Sequence, residues 1–201
     1  MDTTEDLTRP ASTKGWRVVD IVVAAVLGVA IGLVFFAYNG PGYAAFESVD
    51  ALTPGLGGLL AGVWLLGGPL GALVIRKPGA ALFVELLAAI VSMALGTIWG
   101  WETVASGFAQ GLGAEVVFAL AAYRRWNLGV AMLAGAGAGA AAWVNEFILG
   151  NHAKSLAFNG TYLVCLLISG AVLAGLLGWL LTRALAGAGA LDRFASGRES
   201  R

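Results

Sequence analysis

Six apolar runs, at about residues 18–37, 54–75, 79–98, 104–122, 128–148 and 160–182, constrain this chain more than any other feature. Each holds about 20 residues, and at ~1.5 Å per residue a helix of that length crosses the ~30 Å hydrocarbon core of a bilayer. A helix satisfies its own backbone in lipid, and the ~10-residue alternating segments of a barrel do not occur. The pattern predicts an all-α integral membrane protein with six transmembrane helices in a single membrane domain, residues 1–201. Within it, a six-helix bundle at 16–183 lies between polar tails at 1–15 and 184–201.

Composition agrees. Only 12% of residues are charged and 59% are apolar, whereas a soluble domain carries about 25% charged residues. The 30 glycines sit inside apolar runs, which excludes disorder and a collagen-like repeat. Twelve basic and twelve acidic residues cancel, so nothing attracts nucleic acid. The lone Cys165 excludes a disulfide framework. Arg9 and Lys14 raise the question of a signal peptide. The run that follows exceeds a 7–15-residue signal core and lacks a cleavage site, so a retained first helix is expected.

The basic residues alternate in sidedness. Arg9, Lys14 and Arg17 precede the first run, and Arg76 and Lys77 separate the second from the third. Arg124 and Arg125 separate the fourth from the fifth, and Arg183, Arg193, Arg198 and Arg201 end or follow the sixth. Only Lys154 falls on the other side. The positive-inside rule then puts both termini in the cytoplasm. The longest outer connection, about 38–53, carries Tyr38, Tyr43 and Phe46 around Gly-Pro-Gly. It reads either as a loop folding onto an apolar surface or as interfacial anchoring.

Small residues recur every fourth position in helix 1 (Ala24, Gly28, Gly32) and helix 6 (Gly170, Ala174, Gly178), and helix 5 carries AGAGAGAAA at 134–142. Such rows let helix backbones approach closely. They suit packing inside the bundle or docking of a partner, with helix 1 the best docking candidate.

Ionisable groups at membrane depth each need an account. Asp20 has Arg17 one turn earlier, an interfacial ion pair. Glu85 shares a face with Ala88, Ser92, Gly96 and Trp99, a stripe aimed into the bundle, and a structural role for it implies pairing toward Arg76 or Arg124. Glu115 lies eleven residues into the fourth run, close to the midplane, with no basic residue at matching depth. It is expected to be protonated or to await a cation. Toward the outer ends Tyr43, Trp99, Gln110, Trp143, Asn145, Glu146, His152 and Tyr162 gather with Trp101 and Asn159. The first eight of these, together with Glu115, are the candidate binding residues, suited to a flat, cationic, hydrogen-bonding heterocycle.

No Walker A, HExxH or nucleophile-elbow sequence occurs, the only histidine lies in an outer loop, and no Pro-interrupted helix pair is evident. The chain does not read as an enzyme and needs no cofactor of its own.

The stretches Lys77-Pro78-Gly79-Ala80-Ala81 with Glu85, Gly96-Thr97-Ile98-Trp99-Gly100, and Gln110-Gly111-Leu112-Gly113-Ala114-Glu115-Val116-Val117-Phe118 carry a resemblance across about residues 16–183. They resemble the YkoE-type S components of energy-coupling-factor (ECF) vitamin transporters, associated with thiamine or its hydroxymethylpyrimidine precursor. The resemblance implies a substrate-capture subunit in the cell membrane, without an ATPase of its own. It would work with a transmembrane coupling subunit and cytoplasmic ATPases that use ATP. It implies substrate near the outer side, under the first loop and against helices 4 to 6. It also implies coupling-subunit docking on a small-residue face of helix 1, which Ala24, Gly28 and Gly32 match. Two rival readings are a proton-coupled permease using Glu85 and Glu115, and a membrane scaffold that binds no ligand.

Overall fold

A computed structural model describes residues 15–198. The basic residues Arg9, Lys14 and Arg201, with most of the leading tail, lie outside the described residues. The described part is helical throughout. Helix α1 (Val18–Leu52) is followed by two 3-10 segments (Leu56–Leu59, Ala61–Leu65) and the short α2 (Gly67–Ile75). Then come α3 (Ala80–Leu95), α4 (Glu102–Leu120) and α5 (Leu128–Leu149). After a 3-10 turn, α6 (Leu156–Ser169) runs through a π-helical stretch (Gly170–Leu176) into α7 (Leu177–Gly187), and α8 (Ala195–Arg198) is the last helix among the described residues. Among the described residues, four helical spans are long and apolar enough to cross a membrane: Val18–Leu52, Glu102–Leu120, Leu128–Leu149 and Leu156–Gly187. The second and third apolar runs form shorter helices.

Successive spans run antiparallel, with α6 and α7 counting as one, which sorts the molecule into two ends. Arg17, Arg76, Lys77, Arg124 and Arg125 mark a basic end, while the α3–α4 and α5–α6 connections mark the opposite, aromatic end.

Two expectations change. Residues 38–53 are not a loop, because α1 continues through Gly40-Pro41-Gly42 to Leu52. At ~1.5 Å per residue this helix is far longer than a bilayer core, so its last turns rise over the aromatic end. Gly42 is required there, because a Cβ would meet the Tyr38 ring. The aromatics fold inward: Tyr38 donates to the Leu60 carbonyl at 3.2 Å and packs edge-on against Trp64. Second, residues 54–75 are not one helix. Glycines at 55, 57, 58, 62, 67 and 68 favour tight turns over continuous α-helix. At Gly55 φ is +98°, and a Cβ would strike the Phe158 carbonyl. Irregular backbone is tolerated at this depth because protein surrounds it: every residue of α2 is buried. A broken helix therefore exists where the sequence offered no Pro-interrupted pair. The described part of the polar tail, residues 184–198, packs back onto the bundle. Leu191 and Phe194 are buried beneath the bundle, and Ser196 Oγ donates to the Val74 carbonyl at 2.9 Å.

The alternating glycines of α5 serve two neighbours. Gly135 and Gly139 face the Gly170 and Leu166 carbonyls of the α6 span, whereas Gly137 faces Gly113 of α4. No side chain fits at these crossings, so the backbones meet directly. The α1 row is used in the same way. Ala24, Gly28 and Gly32 are buried, and a Cβ at Gly28 would lie 2.8 Å from Leu87 Cδ2 of α3. The expected docking row is therefore covered by α3. The side of α1 left open carries Val22, Val26, Val29 and Leu33 instead.

Candidate functional site

A cavity of about 350 Å³ opens at the aromatic end, between the upper part of α1, the 3-10 segments, α3, α4, α5 and α6. Its rings interlock edge to face. Trp99 meets Tyr43 at 5.1 Å between centroids and Trp64 at 5.8 Å; Phe46 meets Tyr162 at 6.1 Å, and Tyr162 stacks on Phe158 at 5.5 Å. Offset and edge-on packing holds such rings rigidly, leaving faces for a flat ligand.

Polar groups enter between the rings. Glu146 on α5 accepts from the Tyr162 hydroxyl at 2.7 Å, so its carboxylate keeps further acceptor capacity toward the cavity. Gln110 on α4 is buried in the cavity wall, and its amide is assigned so that the nitrogen faces the Trp64 carbonyl oxygen at 3.0 Å and Glu85 Oε1 at 3.2 Å, both acceptors. Asn39 donates to Ser92 Oγ at 3.1 Å and accepts from Trp64 Nε1 at 2.9 Å. Thr103 Oγ1 is buried in the lining with no hydrogen-bond partner among the described residues. Such an orphan is costly unless a ligand or water meets it. Glu102 and Lys154 stand in the same lining, the Lys154 ammonium 4.0 Å above the Phe158 ring.

Of the expected binding residues, Tyr43, Trp99, Gln110, Glu146 and Tyr162 line this cavity together. Four others do not. Trp143 donates to the Asn159 carbonyl at 3.0 Å and stacks on Phe147, so it fastens α5 to α6. Asn145 donates to Ser106 Oγ at 2.9 Å and ties α5 to α4. His152 is exposed and bonded to the Phe147 carbonyl. Glu115 lies at the basic end and not near the midplane, because α4 runs from the aromatic end and reaches Glu115 in its last turns.

Nor does Glu115 lack partners. It accepts from the amides of Gly79 at 2.6 Å, Ala81 at 2.9 Å and Leu82 at 3.3 Å, and from the Tyr123 hydroxyl at 2.7 Å. It thus caps the positive N-terminus of α3 from another helix. Gly79 adopts φ +85° to turn its amide into this cap. Burial, and next the hydrogen bond to Glu115, push the Tyr123 hydroxyl up to about 12. Glu85 behaves similarly. Fully buried, it accepts from the Gly68 amide at 2.6 Å where α2 begins, and not from Arg76 or Arg124. The expected stripe faces the interior at Ala88 and Ser92, but α3 ends at Leu95, so Gly96 is exposed and Trp99 reaches the cavity from the connection that follows. The Arg17–Asp20 pair forms at 2.6 Å, with Lys77 3.6 Å from the same carboxylate.

The residues that the sequence did not single out are Trp64, Asn39, Thr103 and Ser106. Asn39 carried a signal, an amide at the end of an apolar run beside the aromatic stretch. Trp64 carried little, since its direction depends on the broken helix around it. Among the described residues, no group of three or more His, Cys, Asp or Glu side chains could hold a metal ion.

The described residues form an all-helical bundle with a cavity open at one end, and comparison with known proteins specifies the class. A crystal structure of an S component of an ECF transporter superposes with a TM-score of 0.85 at 35% identity, covering 92% of this chain and 93% of that one. Residues 19–141 match the family described as the permease component of an ABC-type cobalt transport system. The Bacillus subtilis (strain 168) protein YkoE, named as an HMP/thiamine permease protein, is 38% identical over 189 residues, 92% of each chain. The chain belongs to the YkoE-type family of ECF S components, a multi-pass membrane protein of transport whose relatives are not enzymes.

Proposed function

We propose that this protein is the capture subunit of an ECF-type importer for thiamine or its hydroxymethylpyrimidine precursor. The observation that carries the reading is the aromatic cavity with Glu146, Gln110 and the unpartnered Thr103 hydroxyl on its wall. Flat rings stack on Trp99 or Tyr43, amides meet a heterocycle's polar edge, and Glu146 balances a thiazolium charge. The name of the Bacillus subtilis relative supports the same ligand pair.

The chain crosses the membrane six times with both termini in the cytoplasm. The basic end supports this orientation, and the cavity then faces outward. The broken second run and α3 count as crossings because protein encloses the irregular backbone. A coupling subunit and cytoplasmic ATPases power release into the cell, and this chain carries out no chemistry on the substrate. A partner that docks on helix 1 meets the open Val22, Val26, Val29 and Leu33 side, since α3 covers the small-residue row. The permease alternative loses its support, because Glu85 and Glu115 both cap helices.

Calorimetric titration of the purified protein in detergent tests the reading. Saturable, stoichiometric binding of thiamine or hydroxymethylpyrimidine is expected, with tryptophan fluorescence quenched as Trp99 is covered. Absence of binding by both compounds would refute it.

A further inference from the structure

Glu85 lines no part of the cavity, yet it touches a group that does. Its Oε2 accepts from the Gly68 amide, and a Cβ at Gly67 would lie only 2.8 Å from that oxygen, so Gly67 leaves room for the carboxylate. Its Oε1 takes one N–H of Gln110, and the Trp64 carbonyl takes the other. The reverse amide orientation would set the Gln110 oxygen against two acceptors. Both donors of Gln110 are therefore spent inside the protein. What remains for a ligand is the carbonyl oxygen, an acceptor.

A second chain of bonds runs along the neighbouring wall. The Trp64 indole can only donate, and it donates to Asn39 Oδ1; the Asn39 nitrogen must then donate, and it does so to Ser92 Oγ. Ser92, having accepted, keeps its own proton to give. Gln110 and Ser92 both line the cavity, so its inner wall offers one fixed acceptor and one donor.

We infer that Glu85 is a positioning residue: by holding Gln110, it sets the inner wall to accept the amino edge of an aminopyrimidine and to reject the oxo form. This deepens the capture reading above and rests on it. An aminopyrimidine presents an exocyclic N–H beside a ring-nitrogen acceptor, complementary to Gln110 Oε1 and the Ser92 hydroxyl. The 4-oxo form presents a carbonyl beside a ring N–H, the reverse order. Turning the ring over would restore the match only by carrying its 5-substituent to the other side of the cavity.

The test is calorimetric titration of thiamine and its 4-oxo analogue against the full chain, with Glu85→Gln and Gln110→Leu as variants. The parent protein is expected to prefer the amino compound by at least about 100-fold, because mismatched buried polar groups discriminate strongly. Glu85→Gln keeps an oxygen for the Gly68 amide but turns a donor toward Gln110, so the preference should fall at least about tenfold. Gln110→Leu removes the acceptor and should do the same. A merely structural Glu85 would weaken both ligands equally, and an unchanged ratio in a folded Glu85→Gln overturns the inference. Equal affinities in the parent protein overturn it without any variant, as does a full preference retained in Gln110→Leu. Binding of neither compound, nor of hydroxymethylpyrimidine, would instead bring down the capture reading itself.

Discussion

Glu115 and Glu146 are the same side chain at opposite ends of the bundle, and they end up in opposite circumstances. Glu115 is surrounded by donors: three backbone amides at the start of α3 and the Tyr123 hydroxyl. Glu146 has one strong partner, Tyr162, and faces a cavity. A carboxylate saturated by a helix N-terminus has no capacity left for a ligand, whereas a half-satisfied one beside an opening does. The basic end of the molecule is closed by capping, and the aromatic end is left open by incomplete pairing. Burial of a charged residue alone does not mark a site; unmet hydrogen-bonding capacity does.

The largest effect expected from this contrast is at Glu115. Glu115→Ala strands the amides that cap α3 and should lower stability by about 4 kcal/mol, read as thermal unfolding in detergent. Ligand affinity of the folded fraction should be unchanged, and a selective loss of affinity would contradict the division into closed and open ends. Gly28→Leu tests the same closed packing. Its side chain must displace Leu87, costing about 3 kcal/mol of stability, whereas a row reserved for a partner would leave the isolated subunit's stability intact.

At the open end, Trp99→Ala should weaken thiamine binding by about 2 kcal/mol, and Trp143→Ala by no more than a few tenths. Equal losses would mean that the cavity does not define the stacking face. Glu146→Gln should cost thiamine about 1.4 kcal/mol, a tenfold change, and neutral hydroxymethylpyrimidine less. Calorimetry with both ligands measures the difference, and no difference would make Glu146 structural like Glu115.

The smallest effect concerns Tyr123. Its hydroxyl supports the Glu115 cap only while protonated, and it titrates near 12, against an ordinary value of about 10. The stabilisation is fully present below about pH 10 and is lost as pH rises through 12. Tyr123→Phe should lower stability at neutral pH and flatten this alkaline decline. An alkaline profile identical to the parent's would remove Tyr123 from the cap.

Much was legible without coordinates. Apolar runs of bilayer length determine helices, because in lipid no other single segment satisfies its backbone. The alternating basic residues separate two ends, and the Arg17–Asp20 pair follows from one-turn spacing alone. Tyr43, Trp99, Gln110, Glu146 and Tyr162 could be gathered from sequence because antiparallel helices bring their outer ends together.

Only the tertiary structure decided what long-range partners decide. Whether Ala24, Gly28 and Gly32 face α3 or a partner depends on which helix arrives first, and a small-residue row is equally suited to both. The glycines of residues 54–75 permit the break, but where α2 begins is met by a distant partner: Glu85, 17 positions beyond Gly68, accepts from its amide. Trp143 and Asn145 are not in the site because their donors are bonded to the Asn159 carbonyl and Ser106. Sequence spacing sets which residues share a face of one helix. Hydrogen-bond partners 30 or more positions away, as Gly79 is from Glu115, settle whether a polar group is consumed by the fold or left for a ligand.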